Sequence, residues 1–152
     1  MSVLKRAAGI GASVAVLALL PGTSTASAAT TADPVNTFMN QETGRCIDHT
    51  NEGGLRAFQC NGTAAQKWSV KTWGDGTRRL QNVLTGKCID DSNVGFRVLD
   101  CNDGVFQSWF VRKWNDGTIE FKNQGSTRCM DDTVAGGFRT WTCNASRAQS
   151  WL

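Results

Sequence analysis

The sequence predicts a closed, all-β, pseudo-threefold domain, and three observations predict it. A C-x-D triplet, a second cysteine and a Q-x-W triplet recur three times in the same order, with a period of 41–42 residues. Short apolar runs are punctuated by Gly, Asn and Asp, a strand rhythm with no helical periodicity. The number of units is three, too few for a solenoid with its caps and too few for a propeller, so the units must share one core.

The elements follow in chain order. Residues 1–28 read as an export signal. Lys5 and Arg6 supply the positive start, residues 7–20 (AAGIGASVAVLALL) an apolar run, and Ala26-Ser27-Ala28 the small-residue cleavage pattern, with cleavage expected after Ala28 and Ala29 as the neighbouring option. The apolar run is short for a membrane span, which argues against the alternative of a retained anchor. Residues 29–36 are expected to form a short linker, and 37–152 the folded domain, with repeats at about 37–78, 79–119 and 120–152. The whole chain carries a formal charge of +3, but two of those positive charges lie on Lys5 and Arg6. The remainder is nearly neutral, so steering toward nucleic acid or anionic lipid has no support. Aromatics and cysteines are plentiful and no low-complexity tract occurs, which excludes a disordered chain. Export implies an oxidising compartment, where six cysteines read as disulfides.

Within the repeats, CID (46–48), CID (88–90) and CMD (129–131) open the units. Cys60, Cys101 and Cys143 follow, and then QKW (66–68), QSW (107–109) and QSW (149–151). TGRC, TGKC and STRC precede the first cysteines; WGDGT (73–77) and WNDGT (114–118) join successive units. Asp75-Gly76 and Asp116-Gly117 are tight-turn signals. Asn61-Gly62-Thr63 and Asn144-Ala145-Ser146 fit the glycosylation sequon, but the export signal and composition look bacterial, so both are read as turns.

These motifs, C-x-D … C … Q-x-W three times over Thr37 to Leu152, resemble the ricin B-chain type of lectin domain, a β-trefoil. The resemblance implies a disulfide inside each repeat: Cys46–Cys60, Cys88–Cys101 and Cys129–Cys143. Each such loop contributes about 3 kcal/mol on the chain-entropy model. It also implies that Trp68, Trp109 and Trp151 lie in the shared core.

The sequence holds little catalytic chemistry. His49 is the one histidine, without a nucleophile-elbow motif beside it, and is read as a surface loop residue. No C-x₂₋₄-C pair or histidine cluster suggests a metal. Asp90-Asp91 and Asp131-Asp132 are adjacent on strands and so point to opposite faces, which does not suit a glycosidase pair. The protein is therefore read as a non-enzyme with neither cofactor nor metal.

Strand alternation places the candidate sites. The residue two after each first cysteine shares its face, as do those two and four before each second cysteine. This groups Asp48, Arg56 and Phe58; Asp90, Arg97 and Leu99; and Asp131, Arg139 and Trp141. By resemblance, the Asp accepts sugar hydroxyls and the aromatic stacks on the sugar ring. The third cluster is then the main site, the first has Phe58 as its aromatic, and the second lacks a π face. Two departures stand out. Ala65, Phe106 and Ala148 occupy the position before Q-x-W where sugar-binding relatives carry Asn. An arginine, Arg56, Arg97 or Arg139, replaces the usual uncharged polar residue. That arginine is either a donor fork for a sugar or carboxylate, or the ion-pair partner of its own unit's Asp. Pairing in all three units would count against ordinary galactose-type binding. Trp73 and Trp114 at the joining turns either form a stacking platform or pack beneath the turns, the latter being preferred.

The reading is a secreted, non-catalytic, lectin-like carbohydrate-binding protein, expected as a monomer with a carbohydrate or polysaccharide partner. The alternative is a β-trefoil protein-interaction module, such as a secreted inhibitor or toxin-assembly component, whose sugar sites are degenerate. Neither nucleic acid nor, in the mature form, a membrane is expected as partner.

Overall fold

The computed structural model describes residues 31–152. The export signal expected at residues 1–28 lies outside the described residues.

Eleven strands form: β1 (Val35–Asn36), β2 (Arg45–Thr50), β3 (Gly54–Gln59), β4 (Trp68–Thr72), β5 (Arg78–Asn82), β6 (Cys88–Ser92), β7 (Gly95–Leu99), β8 (Trp109–Lys113), β9 (Ile119–Asn123), β10 (Cys129–Thr133) and β11 (Gly137–Trp141). All pairings are antiparallel. Hairpins β2–β3, β6–β7 and β10–β11 carry the C-x-D motifs. Hairpins β4–β5 and β8–β9 join successive repeats through the W-x-D-G-T turns. In those turns Gly76 and Gly117 take φ of 86° and 89°, where a side chain would be strained. Asp75 and Asp116 each accept bonds from the backbone N–H and hydroxyl two residues on, at Thr77 and Thr118. The third closure is made by the segment ends, where Asn40 and Ile119 both bridge to Trp151.

The residues expected as a linker contain a short strand. Val35 and Asn36 are a strand, paired with Ser69 and Trp68. The exposed edge of β4 needs backbone partners, and these two residues supply them.

The core repeats the threefold pattern. Trp68, Trp109 and Trp151 are fully buried among Phe38, Ile47, Leu80, Ile89, Phe121 and Met130. Each indole N–H donates to the carbonyl of the residue after its own unit's first cysteine: Ile47 at 3.0 Å, Ile89 at 3.3 Å and Met130 at 3.3 Å. The large ring is thereby buried without stranding its polar atom. Leu55, Phe96 and Phe138 pack on the core from the hairpins, Phe96 and Phe138 edge to face at 4.9 Å. Disulfides link Cys46–Cys60, Cys88–Cys101 and Cys129–Cys143, and free cysteines are absent among the described residues.

Candidate functional site

Cross-strand register assembles each expected cluster. Cys46 faces Phe58 and Asp48 faces Arg56 across β2–β3. Cys88 faces Leu99 and Asp90 faces Arg97 across β6–β7. Cys129 faces Trp141 and Asp131 faces Arg139 across β10–β11. Directly opposed residues bring their side chains together on one face of the hairpin.

The outer repeats resolve the arginine in the same way. Arg56 Nε donates to Asp48 Oδ1 at 2.9 Å, and Arg139 Nε to Asp131 Oδ1 at 3.0 Å. The other oxygen of each carboxylate accepts from the Q-x-W glutamine, Gln66 at 3.1 Å and Gln149 at 3.2 Å. Both oxygens of each buried carboxylate thus have a partner within their own repeat. The guanidinium also stacks on the aromatic, 4.4 Å from the Phe58 ring centre and 4.3 Å from that of Trp141. Phe58 remains 44% exposed and Trp141 52% exposed. The product is a flat platform of arginine and aromatic, with the Asp beneath it as the positioning group.

The middle repeat differs. Asp90 and Arg97 face each other, yet Asp90 Oδ1 and Arg97 Nε are both buried without a hydrogen-bond partner. The reason is one residue in the hairpin turn. In the outer repeats the guanidinium lies so close to Gly53 or Gly136 that a Cβ there would collide with it. Those turns are braced by backbone N–H bonds from Gly53 to Thr50 and from Gly136 to Thr133, each 2.8 Å. The β6–β7 turn, Ser92-Asn93-Val94-Gly95, is one residue shorter and lacks that glycine. Arg97 has neither the cradle nor an aromatic at Leu99 to lie on.

Several residues at these sites escape the sequence reading. The Q-x-W glutamines tie the loop after the second cysteine to its own hairpin, Gln66 accepting from Asn61 N–H at 2.8 Å and donating to Gln59 carbonyl at 2.9 Å. Asn40, Asn82 and Asn123 are buried and cap the loops before the first cysteines. Their side-chain amides donate to the carbonyls of Ala148, Ala65 and Phe106, the three residues standing where relatives carry Asn. The signal was present: each Asn precedes its cysteine by six positions.

The residue after each C-x-D triplet points the other way and joins repeats. Asp132 is gripped by Arg45 at 2.6 and 3.0 Å and by Thr43. Asp91 is gripped by Arg128 at 2.6 and 3.2 Å, by Thr140 at 2.9 Å and by Ser126. The third joint carries His49, whose Nδ1 lies 2.7 Å from Thr85 Oγ1. His49 is buried, which corrects its reading as a surface residue. Burial pushes its pKa down, with Asp48 opposing and Lys87 adding to the lowering.

Comparison with known proteins bears on this geometry. The model of the ricin-type β-trefoil lectin domain matches residues 34–151. No curated protein matches the chain in sequence. Among solved structures, the chain is similar to the designed threefold-symmetric protein ThreeFoil (TM-score 0.69, 20% identity), covering 77% of this chain and 95% of that one. A lectin of Polyporus squamosus, solved with a Neu5Acα2-6Galβ1-4GlcNAc epitope, gives TM-score 0.67 and 12% identity over 81% of this chain and 49% of that one. A mosquitocidal holotoxin gives TM-score 0.69 and 18% identity over 81% of this chain, which spans 17% of the holotoxin chain. At these identities the likenesses bear on the fold. The family model, running from before β1 through the last buried tryptophan, decides the rest: the chain belongs to the ricin-type β-trefoil lectin domain family and carries a carbohydrate-binding type of module.

Proposed function

We propose that the protein is a secreted, non-catalytic, lectin-like carbohydrate binder whose main site is Trp141 with Arg139, held by Asp131. One observation carries the reading: Trp141 is 52% exposed and backed by its own repeat's guanidinium. A large aromatic left open on a rigid hairpin offers a face for sugar C–H groups. Arg139 adds outward N–H donors, which suit hydroxyl oxygens or the carboxylate of an acidic sugar. Arg56 and Phe58 repeat the arrangement with a smaller ring, supported by Asp48. Asp90 and Arg97 stand opposite each other unbonded and without an aromatic, and contribute least. Two platforms on one rigid body favour multivalent surfaces such as polysaccharides. Export is supported by the pattern of residues 1–28 and by the three disulfides. A non-catalytic role is supported by the burial of His49 in a joint between repeats and by the engagement of every cysteine.

The mature protein on a glycan and insoluble-polysaccharide array, beside Trp141→Ala, tests this. Binding that weakens about tenfold or more in the variant is expected. An empty array, or binding indifferent to Trp141→Ala, overturns the site. A second reading, a protein-interaction trefoil, is favoured by the closure of Asp48 and Asp131 by their own arginines. An empty array with an intact fold would move the assignment to it.

A further inference from the structure

We propose a second saccharide site at the Trp114 turn, separate from the C-x-D clusters and resting on the carbohydrate-binding reading above. Its ligand class is a neutral pyranose ring.

Two equivalent places in the fold differ. Turns 73–77 and 114–118 have the same W-x-D-G-T sequence and the same bracing. Each Asp also accepts from a glutamine of another repeat, Asp75 from Gln124 at 3.0 Å and Asp116 from Gln41 at 3.1 Å. At Trp73 the surroundings are strapped shut. Lys71 lies 4.1 Å and Arg79 5.5 Å from the indole ring centre, and Arg79 reaches Asp103 at 3.7 Å. At Trp114 the cation over the ring is kept, as Arg112 in place of Lys71, but the outer Arg–Asp pair is gone, since Glu120 stands in place of Arg79 and Ala145 in place of Asp103.

A cavity of about 490 Å³ lies elsewhere, beside the short β6–β7 turn, but it has no aromatic wall. The cavity at Trp114 does. It measures about 360 Å³ and is lined by Gln41, Trp114, Asn115, Asp116, Ala145 and Arg147, among others. The indole is fixed by Arg112 stacked at 4.0 Å. Arg147 is anchored by a bond to the Gln41 carbonyl at 3.1 Å. Ala145 holds a left-handed φ of 56°, unusual for a residue with a side chain. Strained backbone of this kind gathers at binding sites.

The wall chemistry selects the ligand. Asp116 is kept ionised by the bonds from Thr118, which hold its carboxyl below the usual range. Its Oδ2, which accepts one bond from Gln41, keeps a lone pair for a hydroxyl hydrogen, Arg147 is a donor, and the amides of Gln41 and Asn115 serve as both. The two charges cancel, so the cavity does not favour an ionic ligand. One aromatic wall and alternating donors and acceptors match an uncharged, hydroxyl-rich ring.

The test uses the mature full chain with ¹⁵N-labelled tryptophan in the Trp141→Ala background, titrated separately with the methyl β-glycosides of galactose, glucose and N-acetylglucosamine. The Trp114 indole resonance, assigned by Trp114→Phe, should move saturably with at least one of them. Rebuilding the strap with Glu120→Arg and Ala145→Asp together should weaken that binding about tenfold or more. Arg147→Ala, an exposed change that leaves the fold alone, should weaken it as well. If the parent chain responds at Trp141 while Trp114 stays still, the second site is overturned and the first survives. If no probe moves either resonance and the array is empty, both fall. Binding at Trp114 that ignores the strap and Arg147→Ala also overturns the proposal.

Discussion

Arg139 makes three contacts at once: Asp131 below it, Trp141 beside it and the Gly136 turn above it. Its removal leaves the buried Asp131 carboxylate with Gln149 alone, so Arg139→Ala should cost about 1–2 kcal/mol. Arg97→Ala removes a side chain whose Nε has no partner among the described residues, and its cost should stay under about 1 kcal/mol. Urea denaturation midpoints of the two variants decide the matter, and equal shifts would contradict the contrast between repeats. Lysine is not a substitute at 139, because an ammonium cannot bond the carboxylate edge-on while lying flat on an indole.

Among the elements, the hairpin turn is the part that decides whether a C-x-D site is open or closed. Inserting one Gly between Val94 and Gly95 should give β6–β7 the outer geometry and bring Arg97 onto Asp90. A crystal structure of the insertion variant, read for an Arg97–Asp90 distance near 3 Å, checks this. Conversely, Gly136→Ala puts a methyl where the guanidinium lies and should expel Arg139 from Asp131, raising its mobility in the same kind of structure. The hairpins themselves were legible in the sequence, because a period of two fixes which residues share a face once Cys and Asp are aligned. Asp131 opposite Arg139 follows from counting. Whether the two then bond does not follow, because that depends on a turn one residue longer or shorter and on the glycine it contains. The roles of Asn40, Asn82 and Asn123 went unread for a different reason. Their partners are backbone carbonyls of the preceding repeat, and carbonyls leave no trace in side-chain identity.

At the scale of the whole molecule, three equivalent side-chain joints link the repeats beside the shared core and the joining hairpins, two ionic and one neutral. The two ionic joints bury Asp91 and Asp132 against Arg128 and Arg45. The neutral joint has His49 against Thr85, with Asp48 and Lys87 as the charged groups acting on the ring. Folding holds the His49 pKa below its unfolded value of 6.5. The unfolded chain therefore binds the proton more readily, and stability rises with pH through that window. The contribution is complete above the unfolded pKa and is lost as pH falls toward the folded one. Thermal melts between about pH 7.5 and 5 should show a falling Tm in the parent protein and a flatter profile in His49→Asn, which keeps a polar partner for Thr85 without a titrating ring. Parallel profiles would remove His49 from the account.

A closed cycle with unequal links does not open everywhere at once. Two of its equivalent side-chain links are multiply bonded carboxylates sealed from water, and the third is a single imidazole contact beside the hairpin and the Asn82 amide. Partial opening events should therefore begin at one seam, between the first and second repeats, and amide exchange is where they register. The N–H groups flanking His49 and Thr85 should exchange ahead of their counterparts around Asp91–Ser126 and Asp132–Thr43, and their lead should widen as the solution is acidified.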